Sequence, residues 1–196
     1  MERPERGLPK DDLSVKLFSL LDRFPQADLG SDDITIVPAA EVPGSYGKLL
    51  VHHHHMTVTL EKYHEAKLRL TVLDRKVQGD DYARRLLLKA GPADKVVLAG
   101  IMRFQLEQCR EEVRREILAE SKPLGRILIE HKVLRWIEPH VYLRVEMKER
   151  LREIFKAPPH VHVTYGRVAL IICHNIPAVE LLEVVAPIIE AEGAGA

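Results

Sequence analysis

Cysteine is scarce: the 196-residue chain holds two, Cys109 and Cys173. Two cysteines do not make a disulfide scaffold, and they can join only if the fold brings them together. No Cys-x-x-Cys occurs, which removes the usual support for a zinc ribbon or thioredoxin-like chemistry. An excess of either charge is missing too. Twenty-nine basic residues balance 29 acidic ones, so no global field steers the chain toward nucleic acid or anionic lipid. No apolar run approaches the length that spans a bilayer, and the opening MERPERGLPKDD has no apolar signal segment behind it. The expectation is a soluble, cytoplasmic protein with no membrane or nucleic-acid partner. Internal repeats, Gly/Ser linkers, Walker loops and dinucleotide fingerprints are also lacking, so nothing marks a second domain or a nucleotide cradle.

What is present is globular chemistry. Hydrophobic residues at 46% and charged residues at 30% exclude wholesale disorder. Residues 1–11 and 188–196 read as loose tails around a single domain over 12–187. In DDLSVKLFSLLDRF, Val15, Leu17, Phe18, Leu20, Leu21 and Phe24 form an apolar stripe at helical spacing. Residues 25–45 are broken by Pro25, Gly30, Pro38, Pro43 and Gly44 into loop with room for one short element. From Ala66 the period turns to two. AKLRLTVLD, YARRLLLKA and KVVLAGIMRFQL read as three strands joined by short turns, hence antiparallel. EEVRREILAE and PLGRILIEH read as helices, and ERLREIF as a short one. Strands follow around Val141–Met147, in VHVTYGRVALIICH and in PAVELLEVVA, with a turn over Asn175–Ile176–Pro177. Six strands grouped three and three predict an α+β fold, not alternating βαβ.

Two arginines stand among apolar strand residues. Arg84 shares parity with Tyr82, Leu86 and Leu88, and Arg167 with Tyr165, Ala169 and Ile171. A guanidinium matches a carboxylate bidentately, so each suits an anionic ligand. The bland alternatives are a structural salt bridge or a snorkelling side chain for Arg84 and an internal glutamate partner for Arg167. Glu180 and Glu183 face opposite sides of the last strand, and parity alone does not choose the inward one. The run His52–His55 lacks metal-ligand spacing and reads as a loop or polar helix start, so no metal is expected. Cys173 reads as a core cysteine.

Five pieces in order resemble the chorismate lyase family: LLVHHHHMTVTLE at 49–61, YARRLLL at 82–88, KPLGRILIEH at 122–131, YGR at 165–167 and PAVELLEVVAP at 177–187. The resemblance implies an antiparallel six-stranded sheet with helices packed against it and flap helices over an internal ligand pocket. It implies elimination of pyruvate from chorismate to leave 4-hydroxybenzoate, with no metal or organic cofactor. It assigns the ligand arginine to Arg84 and a pocket glutamate to Glu183, with Glu180 as rival if the segment is matched forward from Pro177. Met56 and Thr57 fall at the pocket wall, and Pro123, Leu124, Gly125 and Arg126 at a flap helix start. Arg167 or backbone donors would help with the second carboxylate, and Tyr165 stands where a tryptophan is frequent. The same fold also serves small-molecule sensing in some regulators, so a non-catalytic aromatic-carboxylate binder is the alternative.

Overall fold

The computed structural model describes residues 10–25 and 29–189, with side chains from Lys16 onward. Most of the two expected tails lies outside that range. Lys10 and Asp11 already belong to the first helix, and the Ile188 N–H donates to the Tyr46 hydroxyl at 3.0 Å. The strands are β1 (Ile34–Val37), β2 (Leu68–Gln78), β3 (Asp81–Ala90), β4 (Lys95–Gln105), β5 (Arg135–Glu146), β6 (Val163–Cys173) and β7 (Ile176–Val185). They form one seven-stranded sheet in the order β1-β5-β6-β7-β4-β3-β2, antiparallel at every junction. The helices are α1 (Lys10–Asp22), α2 (Gly44–Leu50), α3 (Met56–Tyr63), α4 (Glu111–Leu118), α5 (Leu124–Glu130) and α6 (Glu149–Phe155). The class is α+β, and the strand count corrects the expected six to seven. The addition is β1, four residues Ile-Thr-Ile-Val that lie on the edge against β5. Four residues just before Pro38 carry too short a period to separate from loop.

Sequence alternation sends the strand residues to two faces, and each face is covered. On one, Leu17, Leu20, Leu21 and Phe24 of the first helical segment join Leu151 and Phe155 of α6 against Ala83, Ile101, Val168, Leu182 and Val184. On the other, α2, α3, α4 and α5 pack on Tyr82, Leu86, Leu88, Leu98, Met102, Ala169, Ile171 and Val179. A bulge between Pro139 and Val141 moves β5 from one face to the other. Ile137 therefore faces α2–α5, while Val141, Leu143 and Val145 face α1 and α6. Pro139 sits beyond the stretch of β5 paired with β1, so its missing N–H breaks no ladder on that side. The β6–β7 turn falls one residue earlier than expected. His174 and Asn175 both take positive φ, 50° and 69°, which is the two-residue hairpin geometry whose twist suits the flanking strands.

Candidate functional site

The face under α3 and α5 does not close completely. A recess of about 550 Å³, counting the space at its mouth, lies between β3, β4, β6 and β7 below and α3 and α5 above. Its walls are aliphatic: Met56, Leu70, Leu86, Leu88, Leu98, Met102, Leu124, Ile137, Ile171 and Leu181. All seven residues singled out as a site line it, namely Arg84, Glu183, Met56, Thr57, Leu124, Gly125 and Arg167. The register explains the gathering. Arg167, Glu183, Gly100 and Leu86 form one row across β6, β7, β4 and β3, and Arg84 lies two residues along β3 from that row. Two strand spacings and two residue rises put the Arg84 and Glu183 Cα atoms about 12 Å apart, with glycine leaving the floor between them bare.

The two arginines, alike in the sequence, differ in the fold. Both are 0% exposed. Arg167 is almost fully engaged. Its Nε donates to Glu183 Oε2 at 2.7 Å, its Nη1 to the carbonyls of Leu50 and His52 at 3.1 and 3.0 Å, and its Nη2 to the His54 carbonyl at 3.3 Å. Four of the five guanidinium N–H groups are thereby used. Of the two readings of Arg167, the fold shows the internal pair with glutamate, while the side chain still lines the recess.

Arg84 is the reverse case. Among the described residues none hydrogen-bonds to its Nε, Nη1 or Nη2. Its guanidinium carbon stands 5.9 Å from the Tyr82 ring centre, within cation–π reach. The Tyr82 hydroxyl lies close to the guanidinium and favours its charge, but it donates its proton to Glu120 at 2.7 Å and does not meet hydrogen-bond geometry with Arg84. Burial pushes the Arg84 pKa down, opposed by the nearby Tyr82 and Glu120. The Tyr82 phenol is pushed up to about 12, first by burial and further by the Glu120 hydrogen bond.

The rivalry between the glutamates resolves by partner. Glu183 is buried beside Arg167 in the recess, whereas Glu180 pairs with Arg103 at 3.3 Å. Above them, Thr57 and Gly125 meet where α3 and α5 cross. A Cβ on Gly125 would come within 2.9 Å of Thr57 Oγ1 and 3.2 Å of His55 Nδ1, so this contact requires glycine.

His55 also lines the recess, a place that the reading of its run as a loop or polar helix start did not give it. It caps α3, and its Nε2 accepts from Arg135 Nε at 2.7 Å. The histidine run is therefore a strap. His52 Nε2–H donates to the Leu49 carbonyl at 2.7 Å, and its Nδ1 accepts from the His54 N–H at 3.1 Å. The strap's carbonyls wrap Arg167. Burial first, and the neighbouring arginines next, lower both His52 and His55 to about 4. Neutral His55 then carries its proton on Nδ1, because Nε2 is an acceptor. Among the described residues no three His, Cys, Asp or Glu side chains converge as a metal site.

No protein-family model matches the sequence, and comparison with curated proteins gives no match. Solved structures do resemble the fold. A possible transcriptional regulator from Bacillus subtilis, YydK, aligns at TM-score 0.43 and 6% identity over 66% of this chain and 64% of its own. The chain thus spans just under two thirds of that protein. A Staphylococcus aureus gene product aligns at TM-score 0.45 and 9% identity, over 69% of this chain and 90% of the other. The effector-binding domain of the B. subtilis trehalose repressor aligns at TM-score 0.39 and 9% identity, over 65% and 99%. Among the described residues no helix is long and apolar enough to cross a membrane.

Proposed function

We propose that the chain binds a small carboxylate in this recess, with the carboxylate on Arg84 and an apolar body among Met56, Leu86, Leu98, Leu124 and Ile171. The single observation that carries the reading is the guanidinium of Arg84, 0% exposed and without a hydrogen-bond partner among the described residues. An unpaired buried charge costs several kcal/mol, so folds keep one where something regularly completes it. The planar fork of five donors is shaped for a carboxylate. Calorimetric titration of 4-hydroxybenzoate against its neutral relative, 4-hydroxybenzyl alcohol, tests this. The acid should bind at least about tenfold tighter, since charge-assisted hydrogen bonds are worth roughly 1.5–3 kcal/mol. Arg84→Met should abolish that preference. Equal affinity for acid and alcohol would remove the reading.

Turnover is a second reading, favoured by the shared recess of the residues that carry the resemblance to chorismate lyases. In it Arg84 clamps a carboxylate of chorismate, and Glu183 holds the hydroxyl end. The ether C–O bond between the ring and the enolpyruvyl group breaks, the hydrogen on the hydroxyl-bearing ring carbon leaves as a proton so that the ring becomes 4-hydroxybenzoate, and the enolpyruvate takes up a proton at its methylene carbon and leaves as pyruvate. Orientation and exclusion of water would be the protein's main contributions, because aromatisation supplies the driving force. Equal release of pyruvate and 4-hydroxybenzoate above the uncatalysed rate between pH 6 and 9 is the result that requires this reading over simple binding.

A further inference from the structure

Resting on the carboxylate reading above, we infer that the recess selects monocarboxylates and rejects ligands that carry a second carboxylate. Among the described residues, the ionisable groups that line it are Arg84, Arg167, Glu183 and His55. Arg167 and Glu183 cancel in a pair closed at 2.7 Å. Arg167 also has a single N–H left after the strap carbonyls of Leu50, His52 and His54 are served. His55, lowered to about 4, is uncharged at neutral pH. The lining therefore offers one unspent positive charge, that of Arg84.

A second carboxylate has no comparable place to go. At the far end of the floor it meets the Glu183 carboxylate, and along the walls it meets hydrocarbon. Like charges repel strongly where water is excluded, and an uncompensated carboxylate there forfeits its hydration. The neutral polar groups Thr57 and His55 suit a hydroxyl or carbonyl and do not replace a cation. The same count extends to chorismate, a dianion, which enters only by opening the Arg167–Glu183 pair. On this point simple binding and turnover part company.

Three ligands that share one ring separate charge from size: 4-hydroxybenzoate, terephthalate and the monomethyl ester of terephthalate. In the native protein terephthalate should bind at least about a hundredfold more weakly than 4-hydroxybenzoate, as like-charge juxtaposition costs several kcal/mol. The monomethyl ester, as long as terephthalate but singly charged, should fall within about tenfold of 4-hydroxybenzoate, since removing the charge removes that cost. Glu183→Gln should narrow the gap for terephthalate by at least about tenfold, because Arg167 then faces a neutral partner. Should that variant not fold, the ester comparison in the native protein decides alone. Terephthalate binding as well as 4-hydroxybenzoate would overturn the inference, as would an ester as weak as terephthalate, which would point to length. If no carboxylate binds, the carboxylate reading itself falls, and that outcome differs from the other two because every arm is silent.

Discussion

At the scale of single residues, two arginines with equal burial have opposite energetic signs. Arg84 sits in the folded protein with no hydrogen-bond partner among the described residues, so replacing it with a hydrophobe of similar length should stabilise the ligand-free protein. For Arg84→Met the expected gain in urea unfolding is roughly 1–4 kcal/mol, the range seen when buried charges give way to packed apolar groups. Arg167→Met should instead cost roughly 3–5 kcal/mol, because it strands the Glu183 carboxylate and three strap carbonyls. Two losses of similar size would contradict the assignment of Arg84 as a ligand group. The sequence made both arginines legible as inward-facing through strand parity. It did not separate them, because the partners of Arg167 are mostly backbone carbonyls, a group every residue has. Leu50, His52 and His54 gave no side-chain signal of that role, and the histidine run drew notice for its rings.

At the scale of elements, the covering of the recess rests on one crossing. α5 reaches α3 where Gly125 lies against Thr57 and His55, and Arg126 of α5 is ion-paired with Glu61 of α3. Gly125→Ala pushes a methyl group into Thr57 Oγ1 and His55 Nδ1, so the helices must separate. The expected cost is about 1–3 kcal/mol, the usual range for overpacking, with weaker 4-hydroxybenzoate binding in the same calorimetric assay. An unchanged affinity would mean that α5 does not shape the bound state. Elements with a full period were readable beforehand. β2 and the later half of β5 are legible by alternation, the other long strands as apolar runs between turn signals, α1 and α4 by apolar stripes, and α5 by the proline at its opening. β1, α2 and α3 are not, because β1 has only four residues, α2 follows a stretch broken by prolines and glycines, and the helix beginning at Met56 follows four polar rings.

For the whole molecule, stability should follow pH in a defined window. His52 and His55 titrate near 4 in the fold against an ordinary 6.5, and burial lowers His64 as well. Between pH 6.5 and 4 the unfolded chain takes up protons that the folded one refuses, so stability falls as the medium is acidified through that range. This histidine share is complete above pH 6.5 and exhausted below 4. Further acidification adds losses from Glu61 and Asp81. Burial works upward on both, but hydrogen bonds from Arg126 and Leu68 to the first, and from Arg103 and Arg23 to the second, hold them below the usual carboxylate range. Thermal unfolding midpoints recorded from pH 7 to 4 should decline, and the decline should be shallower in His52→Asn/His55→Gln. A level native profile over that interval would show that these rings are not held neutral by the fold.

The strand order also bears on biosynthesis. β7 is the last strand of the sheet in chain order, yet it lies between β6 and β4 and is what joins the β2–β3–β4 meander to the β1–β5–β6 group. Without the segment from Ile176 to Val185 the strand order leaves two half-sheets with open inner edges and no floor between them. The recess, with Glu183 on its closing strand, comes into being only when that final segment emerges and slides into the gap. Premature termination before Ile176 would therefore leave two exposed strand edges prone to pair with other chains, so such truncated products should collect in the insoluble fraction instead of surviving as a weaker binder.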